Sequence, residues 1–454
     1  MGVAWPGPDG RMVRTLGPCR AALADVAGAG GPPDDPAHGG ALRKKSVRHV
    51  PLRGKNVLVR VDFNVPLRPV AEEPAGTAGL GGASASPAVA DRVDDDTRLR
   101  AAVPTIRHLL EGGARVVLCS HLGRPQGRPD PRLSLRQVVP LLEVLTQAPV
   151  VFSPVTIGAE ALEAVRRAAP GSVVLLENTR FHPGEEKNDP ELARALAALG
   201  ELFVNDAFGA AHRAHASTVG VARHLPAVAG LLLQRELDAL SRLLTPERPF
   251  VAVVGGAKVA DKLGVLREIV GQADRLLVGG GMANTFLAAS GLSVGRSLVE
   301  RNLLPAALEL LRAAAARGVQ VLLPVDLVVG EAFRPDTPAR VVAAGAVPAE
   351  AMALDIGPET VAMFARALVG ARTVFWNGPL GVSEWPAFAA GTAGVADAVA
   401  SCQGFTVVGG GDSIAALRRL GRLEAIGHVS TGGGASLEFL EGRSLPGVAC
   451  LEDQ

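Results

Sequence analysis

The chain contains no tyrosine, and aromatic residues make up only 4% of its 454 residues. Because 48% of the residues are hydrophobic, we expect full-sized buried cores that are packed mainly by aliphatic side chains. No apolar run approaches the roughly 20 residues that a membrane-spanning helix needs. The chain is long enough for two or three domains.

Cysteine is also rare, and the net charge is close to zero. The four cysteines, Cys19, Cys119, Cys402 and Cys450, have no paired spacing and form no CxxC motif. They are typical of free thiols in a reducing compartment, so we predict a cytoplasmic protein without disulfides or a zinc site. The 46 Lys and Arg residues nearly balance the 45 Asp and Glu residues, which leaves a net charge of +1. This balance argues against binding to nucleic acid or to a membrane surface.

The first 44 residues are rich in Gly, Ala and Pro. Their best apolar stretch, Ala21 to Ala29, is interrupted by Asp25, whereas the core of a signal peptide is continuous. The arginines of this segment would suit a transit peptide, but four aspartates by residue 35 argue against one. We interpret residues 1–44 as a disordered extension, or as the result of a start codon upstream of Met12.

A repeating unit runs through the rest of the chain: a short aliphatic strand, a polar or glycine-rich turn, and an amphipathic helix. The strands are continuous Val and Leu runs, which is typical of parallel strands buried on both faces. Strands that alternate with helices indicate βαβ units, so we predict an α/β fold with two Rossmann-like domains. The predicted strands are Val57–Val61, Val116–Cys119, Val150–Phe152, Val173–Leu176 and Leu202–Val204 in the first half, and Val251–Val254, Arg275–Val278, Val319–Leu323, Thr373–Trp376 and Thr406–Val408 in the second.

A helical stretch from Leu231 to Leu244, which stops before Pro246, separates the two sets of strands. We predict an N-terminal domain over residues 45–227, an interdomain helix and linker over 228–248, and a C-terminal domain over 249–430. Residues 68–90 consist mainly of Pro, Gly, Ala and Ser without periodicity, and we predict a flexible insertion there.

The helix that follows Asp94-Asp95-Asp96-Thr97 carries a candidate binding residue. Asp or Thr can cap its first turn, and Gly112-Gly113 ends it. Arg98 lies in that first turn, where the helix dipole and the guanidinium both favour an anion. The apolar face predicted by the 3-to-4 spacing consists of Leu99, Val103, Ile106 and Leu110.

Groups suited to phosphate follow the predicted strands, at the edge where open α/β sheets bind their ligands. In the first half they are arginines and histidines, in HLGRP (121–125), ENTRFH (177–182) and AHRAH (211–215). In the second half they are glycine turns that expose backbone N–H groups, in GGAKVADK (255–262), GGGMANTF (279–286) and GGGDS (409–413). Two anion-binding surfaces on separate halves indicate transfer of a phosphoryl group between them.

Three residues of the second half carry specific predictions. Lys258 follows Gly255 and Gly256 after one intervening residue and is placed to meet phosphate oxygens, and Lys262, one helical turn on, is expected to share its face. Asp412 follows three glycines and is either a helix N-cap or a ligand of Mg²⁺ beside nucleotide phosphates. The histidines of the first half lack helical spacing, so we expect hydrogen bonds to an anion or plain loop structure rather than metal binding.

Missing motifs exclude some classes of enzyme and argue against others. There is no GxxxxGK[ST] of a Walker-type loop and no HRD or DFG set of a protein kinase. GxGxxG is absent after every predicted strand, which argues against an NAD-dependent dehydrogenase. No Ser/His/Asp or Cys/His nucleophile pattern stands out.

Nine motifs, from about Lys44 to Glu452, resemble those of phosphoglycerate kinases and occur in the family's order. They are RVDFNVP, HLGRP, ENTRFHPGEEKN, AHRAHAS, GGAKVADK, GGGMANTF, WNGPLGV, GGGDS and STGGGA. The resemblance implies two domains joined by a helix, with residues 431–454 returning to the first domain. It also implies Mg²⁺-dependent, reversible transfer from 1,3-bisphosphoglycerate to ADP by a monomer.

The resemblance assigns residues to each site. It implies a 3-phosphoglycerate site formed by Asp62, Phe63, Asn64, Arg98, His121, Leu122, Gly123, Arg124, Arg180 and Arg213. It implies a nucleotide site formed by Lys258, Lys262, Gly280, Gly281, Asn377, Glu384, Gly410, Gly411, Asp412 and Ser413, with Asp412 as metal ligand. Arg98, Lys258, Gly410 and Gly411 are the predicted catalytic residues.

Three positions depart from the family's usual pattern: Ala210 replaces threonine, Ser383 replaces phenylalanine, and Ser413 replaces threonine. We expect Ser413 to preserve the hydroxyl at the metal site and Ser383 to loosen the nucleotide packing. A relative without catalysis that binds nucleotide or an anionic metabolite remains the alternative function.

Overall fold

The computed structural model describes residues 5–6, 12–13, 44–68 and 93–454. Within residues 1–40, strand β1 (Trp5–Pro6) pairs antiparallel with β2 (Met12–Val13). Nearly all of the predicted N-terminal extension and of the predicted insertion at 68–90 lies outside the described residues. Lys44, at the end of that extension, is described and buried, and its ammonium pairs with Asp453 at 2.6 Å.

The first half of the chain forms a six-stranded parallel sheet with the order β5-β6-β4-β3-β7-β8. Its strands are β3 (Asn56–Arg60), β4 (Arg115–Cys119), β5 (Val150–Phe152), β6 (Val173–Leu175), β7 (Leu202–Asn205) and β8 (Ala227–Ala229). The helices between them are α1 (Thr97–Glu111), α2 (Val139–Thr146), α3 (Ala159–Arg167) and α4 (Pro190–Ala197). We call this sheet with its helices the N-terminal half.

Helix α5 (Leu231–Leu244) leads to a second six-stranded parallel sheet with the order β11-β10-β9-β15-β16-β17. Its strands are β9 (Phe250–Val254), β10 (Arg275–Val278), β11 (Gln320–Leu322), β15 (Thr373–Asn377), β16 (Phe405–Gly409) and β17 (His428–Val429). The accompanying helices are α6 (Leu263–Gln272), α7 (Gly280–Ala289), α8 (Leu304–Ala316), α9 (Pro358–Leu368), α10 (Ala390–Ala400) and α11 (Gly411–Arg419). This C-terminal half confirms the predicted class, α/β with two parallel sheets flanked by helices.

A third sheet was not predicted. It inserts into the C-terminal half as three antiparallel strands, β12 (Asp326–Gly330), β13 (Arg340–Ala343) and β14 (Met352–Ile356), in the order β13-β12-β14. The chain then ends in α12 (Gly434–Leu440) and α13 (Pro446–Ala449). The last residues pack on the N-terminal half, where Glu452 N donates to Ala227 O at 2.9 Å and Gly447 N to Ala211 O at 2.8 Å.

Helix α1 corrects two details of the sequence interpretation. The carboxylate of Asp96, the N-cap residue, pairs with Arg100, and it is Asp95 that accepts from the backbone N of Thr97 at 2.9 Å. The buried face consists of Leu99, Ala102, Thr105, Ile106 and Leu109, while Val103 and Leu110 are half-buried. The predicted face and the observed face both fit a period of 3.6 residues. The period alone therefore could not decide between positions that are one residue apart.

Helix α5 joins the two sheets through its apolar side. Leu233, Leu237, Leu240 and Leu243 belong to one buried cluster that includes strand residues of both sheets. Its N-terminus is capped by Asp206, whose carboxylate accepts from Leu232 N at 2.9 Å. Burial raises the pKa of this carboxyl to about 7. The helix is therefore anchored to the N-terminal half at its start and packed against both sheets along its length.

Candidate active site

A cleft of about 320 Å³ opens at the carboxyl edge of the first sheet. Four guanidiniums and one carboxylate are among the lining side chains, so the cleft favours an anion with more than one charge. The lining residues are Asp62, Asn64, Arg98, His121, Gly123, Arg124, Arg180, Gly209, Ala210, His212, Arg213, His215 and the glycines 432–434. Eight of the ten residues predicted for the 3-phosphoglycerate site are thus brought together.

The two others, Phe63 and Leu122, are placed elsewhere. Their side chains are buried in the core of the first sheet and are not part of the described cleft lining. Their backbone N–H groups donate within the protein, from Phe63 N to Ser120 Oγ at 2.8 Å and from Leu122 N to Asn178 Oδ1 at 3.3 Å. These bonds hold the two loops that carry Asp62, Asn64 and His121.

His121 is held by a buried arginine at the end of β3. The Arg60 guanidinium, 1% exposed, donates from Nε to Ser217 Oγ at 2.8 Å and lies 3.0 Å by Nη2 from His121 Nδ1. A guanidinium can only donate, so Nδ1 must accept and the ring proton lies on Nε2. Burial, reinforced by nearby guanidiniums, keeps the pKa of His121 well below its usual value despite Asp62. The ring is therefore a neutral N–H donor at neutral pH.

The carboxylate of Asp62 lies between this histidine and Arg98. Arg98 Nη1 bonds to Asp62 Oδ2, and Asn64 N donates to Asp62 Oδ1 at 3.2 Å. Burial raises the pKa of the Asp62 carboxyl, but the Arg98 and Arg60 guanidiniums and the hydrogen bond from Asn64 N act in the opposite direction, and the net pKa is lowered. Asp62 is thus ionised and fixes the position of Arg98.

Loops that follow β4 and β6 also line the cleft. Arg180 Nη1 donates to Gly123 O at 2.8 Å, and Gly123 N donates to Asn64 Oδ1 at 2.9 Å. Burial and the surrounding arginines lower the pKa of His215 to about 4, so this ring too is neutral. Three loops of the sheet edge are cross-linked by these bonds before any ligand contacts them.

Arg60 and the glycines 432–434 were missed as site residues. Arg60 belongs to the RVDFNVP motif, and its charge at the end of an otherwise apolar strand was the available signal. The glycines follow β17, far along the chain, and reach the cleft only because the C-terminal segment packs beside Gly209. The strand β17 has two residues, which is too short to leave a hydrophobic pattern.

A second group of predicted residues meets at the carboxyl edge of the second sheet. The neighbouring strands β10, β9, β15 and β16 end at Val278, Val254, Asn377 and Gly409. Gly255 N donates to Asn377 O at 2.9 Å, and Gly280 N donates to Leu380 O at 3.0 Å. A side chain at Gly280, where φ is +68°, would meet Pro379 O and Gly256 N, so only glycine allows these turns to approach so closely.

Lys262 is part of this edge. Its ammonium donates to Gly255 O at 2.7 Å and to Asn377 O at 2.9 Å. Burial lowers the pKa of Lys262 to about 8, although Asp412 acts in the opposite direction. Lys258, in contrast, is exposed and precedes the short 3₁₀ helix Ala260–Lys262. The expectation that both lysines share one helical face is therefore wrong, because the chain is irregular between them.

Helix α11 begins where the third glycine motif predicted a helix. Its N-cap, Gly410, has φ of +89°, and Asp412 lies exposed in the first turn. Ser413 is fully buried, and its Oγ accepts from Gly378 N at 2.7 Å, which ties α11 to the turn after β15. The free N–H groups of this helix start suit a phosphate.

Comparison with known proteins agrees with this arrangement. A sequence model described as phosphoglycerate kinase matches residues 85–443. The phosphoglycerate kinase of Moorella thermoacetica is 54% identical over 414 residues, covering 91% of this chain and all of that protein. The enzyme of Chloroflexus aggregans is 52% identical over 418 residues, with the same coverage. The chain belongs to the phosphoglycerate kinase family.

Solved phosphoglycerate kinases share the fold. The structure from Coxiella burnetii has a TM-score of 0.76 at 40% identity, and that from Pyrococcus horikoshii 0.73 at 31%. Each alignment covers 90% of this chain and 98% of the other. The family and the class of enzyme predicted from the motifs are confirmed. In the described part of the chain, no helix is long and apolar enough to cross a membrane.

Two departures from the usual phosphoglycerate kinase pattern have a structural context. Ser383 is buried, and its O and Oγ both lie 3.1 Å from Arg419 Nη2, so the loop before Glu384 is tied to α11. Glu384 itself is exposed. Ala210 is buried at the cleft wall. The expected effect of Ser383 on nucleotide packing stays a prediction.

The residues of α11 fit a nucleotide-bound magnesium ion. Among residues 44–68 and 93–454, no group of three or more His, Cys, Asp or Glu side chains is arranged to hold a metal. Magnesium in nucleotide sites takes only one or two carboxylates, and the substrate phosphates supply other oxygens. The single carboxylate of Asp412 at a helix N-terminus meets that requirement.

Proposed function

We propose that this protein catalyses reversible transfer of a phosphoryl group from 1,3-bisphosphoglycerate to ADP, giving 3-phosphoglycerate and ATP. One observation carries the proposal: this chain of the family has two different anion-binding surfaces. One is a cleft lined by guanidiniums, and the other is a sheet edge lined by glycines, where helix α11 begins. The first suits a compact anion with several charges. The second suits nucleotide phosphates.

In this proposal the cleft binds 3-phosphoglycerate. Arg98, Arg124, Arg180 and Arg213 attract its phosphate and carboxylate, and each charged hydrogen bond contributes about 1.5–3 kcal/mol. His121 adds a neutral N–H donor, and Asp62 and Asn64 offer oxygens to the substrate hydroxyl. The cross-linked loops of the cleft hold these groups in place before the substrate arrives, which reduces the entropy lost on binding.

The nucleotide is proposed to lie along the second sheet edge. Gly280 and Gly281 would lie near the base, Glu384 would bind the ribose, and Gly410 to Ser413 would hold the phosphates, with Asn377 completing the site. Lys262 would gain an anionic partner there, which favours its protonated form. Mg²⁺, held by Asp412 and phosphate oxygens, would supply positive charge to the phosphates.

The chemistry needs no general base. The attacking ADP oxygen is already ionised, and the leaving group is a carboxylate. What remains is to align the reactants and to stabilise charge on the moving phosphoryl group. We assign that role to Arg98 from the N-terminal half, and to Lys258 and the helix start at Gly410-Gly411 from the C-terminal half.

Because the two surfaces belong to different halves, transfer requires the halves to approach. We propose hinges around residues 226–244 and near Ser430-Thr431. Support comes from Glu236 of α5, which is fully buried and accepts from Thr431 N at 2.6 Å and pairs with His428 Nε2 at 2.9 Å. The two proposed hinge segments are therefore directly bonded to one another.

The test is a coupled assay of ATP formation from 1,3-bisphosphoglycerate and ADP. We expect turnover by the natural chain and a loss of about 10³-fold or more in kcat for Lys258→Ala, since a cation specific to the transition state can contribute that much. Lys187→Ala is the control, because Lys187 is also exposed but is not among the cleft-lining residues. It should retain natural activity.

Two results would contradict different parts of the proposal. An absence of turnover in the natural chain would refute the proposed reaction and favour the non-catalytic relative that binds nucleotide or metabolite. Full turnover by Lys258→Ala would leave the reaction in place but remove the role assigned to Lys258.

A further inference from the structure

One ion pair joins α11 to the start of α1. The N-terminus of α11 lies at the glycine-lined edge of the second sheet, and the first turn of α1 carries Arg98. Arg418, in the last turn of α11, extends to the start of α1 in the N-terminal half. Its Nη1 lies 2.7 Å from Asp95 Oδ2, and its Nη2 bonds to Thr97 Oγ1. One guanidinium thus makes two contacts with the other half of the molecule.

The acceptor side of this contact is fixed in place. Thr97 donates to Asp95 Oδ1 from its backbone N at 2.9 Å and from Oγ1 at 2.6 Å. Both oxygens of Asp95 are therefore used, one within α1 and one by Arg418. Burial raises the pKa of Asp95, but the hydrogen bonds from Thr97 and Arg418 outweigh it and lower the net pKa.

The position of the contact gives it a consequence. Arg98 follows Thr97 directly, and α11 begins at Gly411, seven residues before Arg418. We propose that Arg418 is an interdomain tether that holds α11 against the first turn of α1 and restricts how far the two halves separate. This tether is independent of the proposed reaction, because it acts on the arrangement of the halves and not on a substrate.

The size of the effect follows from exposure. The side chains of Arg418 and Asp95 are 39% and 34% exposed, so the pair is weakened by solvent and salt. We expect it to favour the tethered arrangement by up to about fivefold, which corresponds to about 1 kcal/mol. A tether of this strength biases the distribution of separations without locking it.

Arg419 provides a matched control. It is the next residue of the same helix and carries the same charge, but its guanidinium bonds to Ser383 within the C-terminal half. Arg418→Met and Arg419→Met therefore remove the same charge from the same helix. Only the first removes a contact between the halves.

The experiment measures the distance between the halves by electron spin resonance in the full chain, without ligands. Spin-label amino acids at Glu160 of α3 and Glu359 of α9, both exposed, avoid the native cysteines. We expect Arg418→Met to broaden the distance distribution toward longer separations and Arg419→Met to reproduce the natural one. At 1 M salt the natural chain should approach Arg418→Met, because the exposed pair is screened.

A second variant tests the partner. Asp95→Asn should broaden the distribution in the same direction as Arg418→Met but less, because Arg418 keeps its contact with Thr97 Oγ1. The double variant should match Arg418→Met, because Asp95 acts through Arg418. The proposal is overturned if Arg418→Met leaves the distribution unchanged, or if Arg419→Met broadens it equally. Thermal unfolding of each variant establishes that it is folded. If Arg418→Met does not fold, the same two criteria apply to Asp95→Asn, which removes the ion pair from the other side.

Discussion

At the scale of single residues, His121 illustrates what a motif contains and what it leaves out. The HLGRP string identified the residue but not the state of its ring. That state follows from Arg60, which offers only donors to Nδ1 and leaves the proton on Nε2. The arginine is 61 positions away in sequence, and only the pairing of β3 with β4 brings the two together.

The neutral state of His121 leads to a prediction about which substitution is tolerated. A glutamine amide can place an N–H near the Nε2 position, whereas an asparagine amide is too short and lies nearer Nδ1. We expect His121→Asn to raise KM for 3-phosphoglycerate by about tenfold or more, the loss of one hydrogen bond to a charged group. His121→Gln should raise it by only a few-fold. Steady-state kinetics with both variants measures the difference.

The pH dependence of KM for 3-phosphoglycerate tests whether the His121 ring is neutral. Because the pKa of His121 lies well below its ordinary value, the ring stays neutral as pH changes from 6 to 8. KM of the natural chain should then vary with pH no more than that of His121→Gln. A fall in KM between pH 8 and pH 6 that disappears in His121→Gln would mean that the ring binds substrate as a cation.

At the scale of elements, the start of α11 depends on two neighbouring glycines with different roles. Gly410 adopts a φ of +89°, which side chains rarely tolerate, whereas Gly411 is helical and has open space where a Cβ would stand. The sequence predicted that a helix opens here, because three glycines follow an aliphatic strand. The sequence could not show that Gly410 is needed for its backbone conformation, whereas Gly411 leaves open space in front of the helix.

Alanine at each position should separate these roles. Gly410→Ala should lower the free energy of unfolding by about 1–3 kcal/mol, the cost of a strained backbone conformation. Gly411→Ala should leave stability unchanged or slightly higher, since alanine favours a helix. Its KM for ADP should rise nonetheless, because the new methyl group stands where phosphates would approach the backbone. Urea unfolding and KM for ADP measure the two effects, and a stable Gly410→Ala would contradict the first.

The ten strands predicted from Val and Leu runs all occur, each within one residue of the predicted bounds. The strands that were missed are β1 and β2 within the N-terminal extension, β8 and β17, with three and two residues, and the antiparallel set β12 to β14. Short edge strands contain too few buried residues to leave a recognisable hydrophobic pattern in the sequence. Strand β13 is mostly exposed, so its Val341 and Val342 lack the continuous burial that marks a parallel strand.

At the scale of the whole molecule, the sequence predicted two anion-binding surfaces on separate halves but not the side-chain contacts that join those halves. Arg98 is paired with Asp62 inside the N-terminal half, while Lys258 is exposed on the C-terminal half. The apolar cluster along α5 connects the two sheets, and Glu236 links that helix to Thr431. Such long-range contacts depend on residues about 200 positions apart, which no local pattern records.

These connections predict how the molecule responds to its ligands. If Arg98 and Lys258 act on one phosphoryl group, the halves must approach when both sites are filled. Small-angle X-ray scattering should show a smaller radius of gyration with 3-phosphoglycerate and MgATP together than with either alone. Each single ligand should compact the molecule only partly, because it contacts one half. An unchanged radius with both ligands, at concentrations where calorimetry shows both bound, would contradict closure and with it the shared role of Arg98 and Lys258.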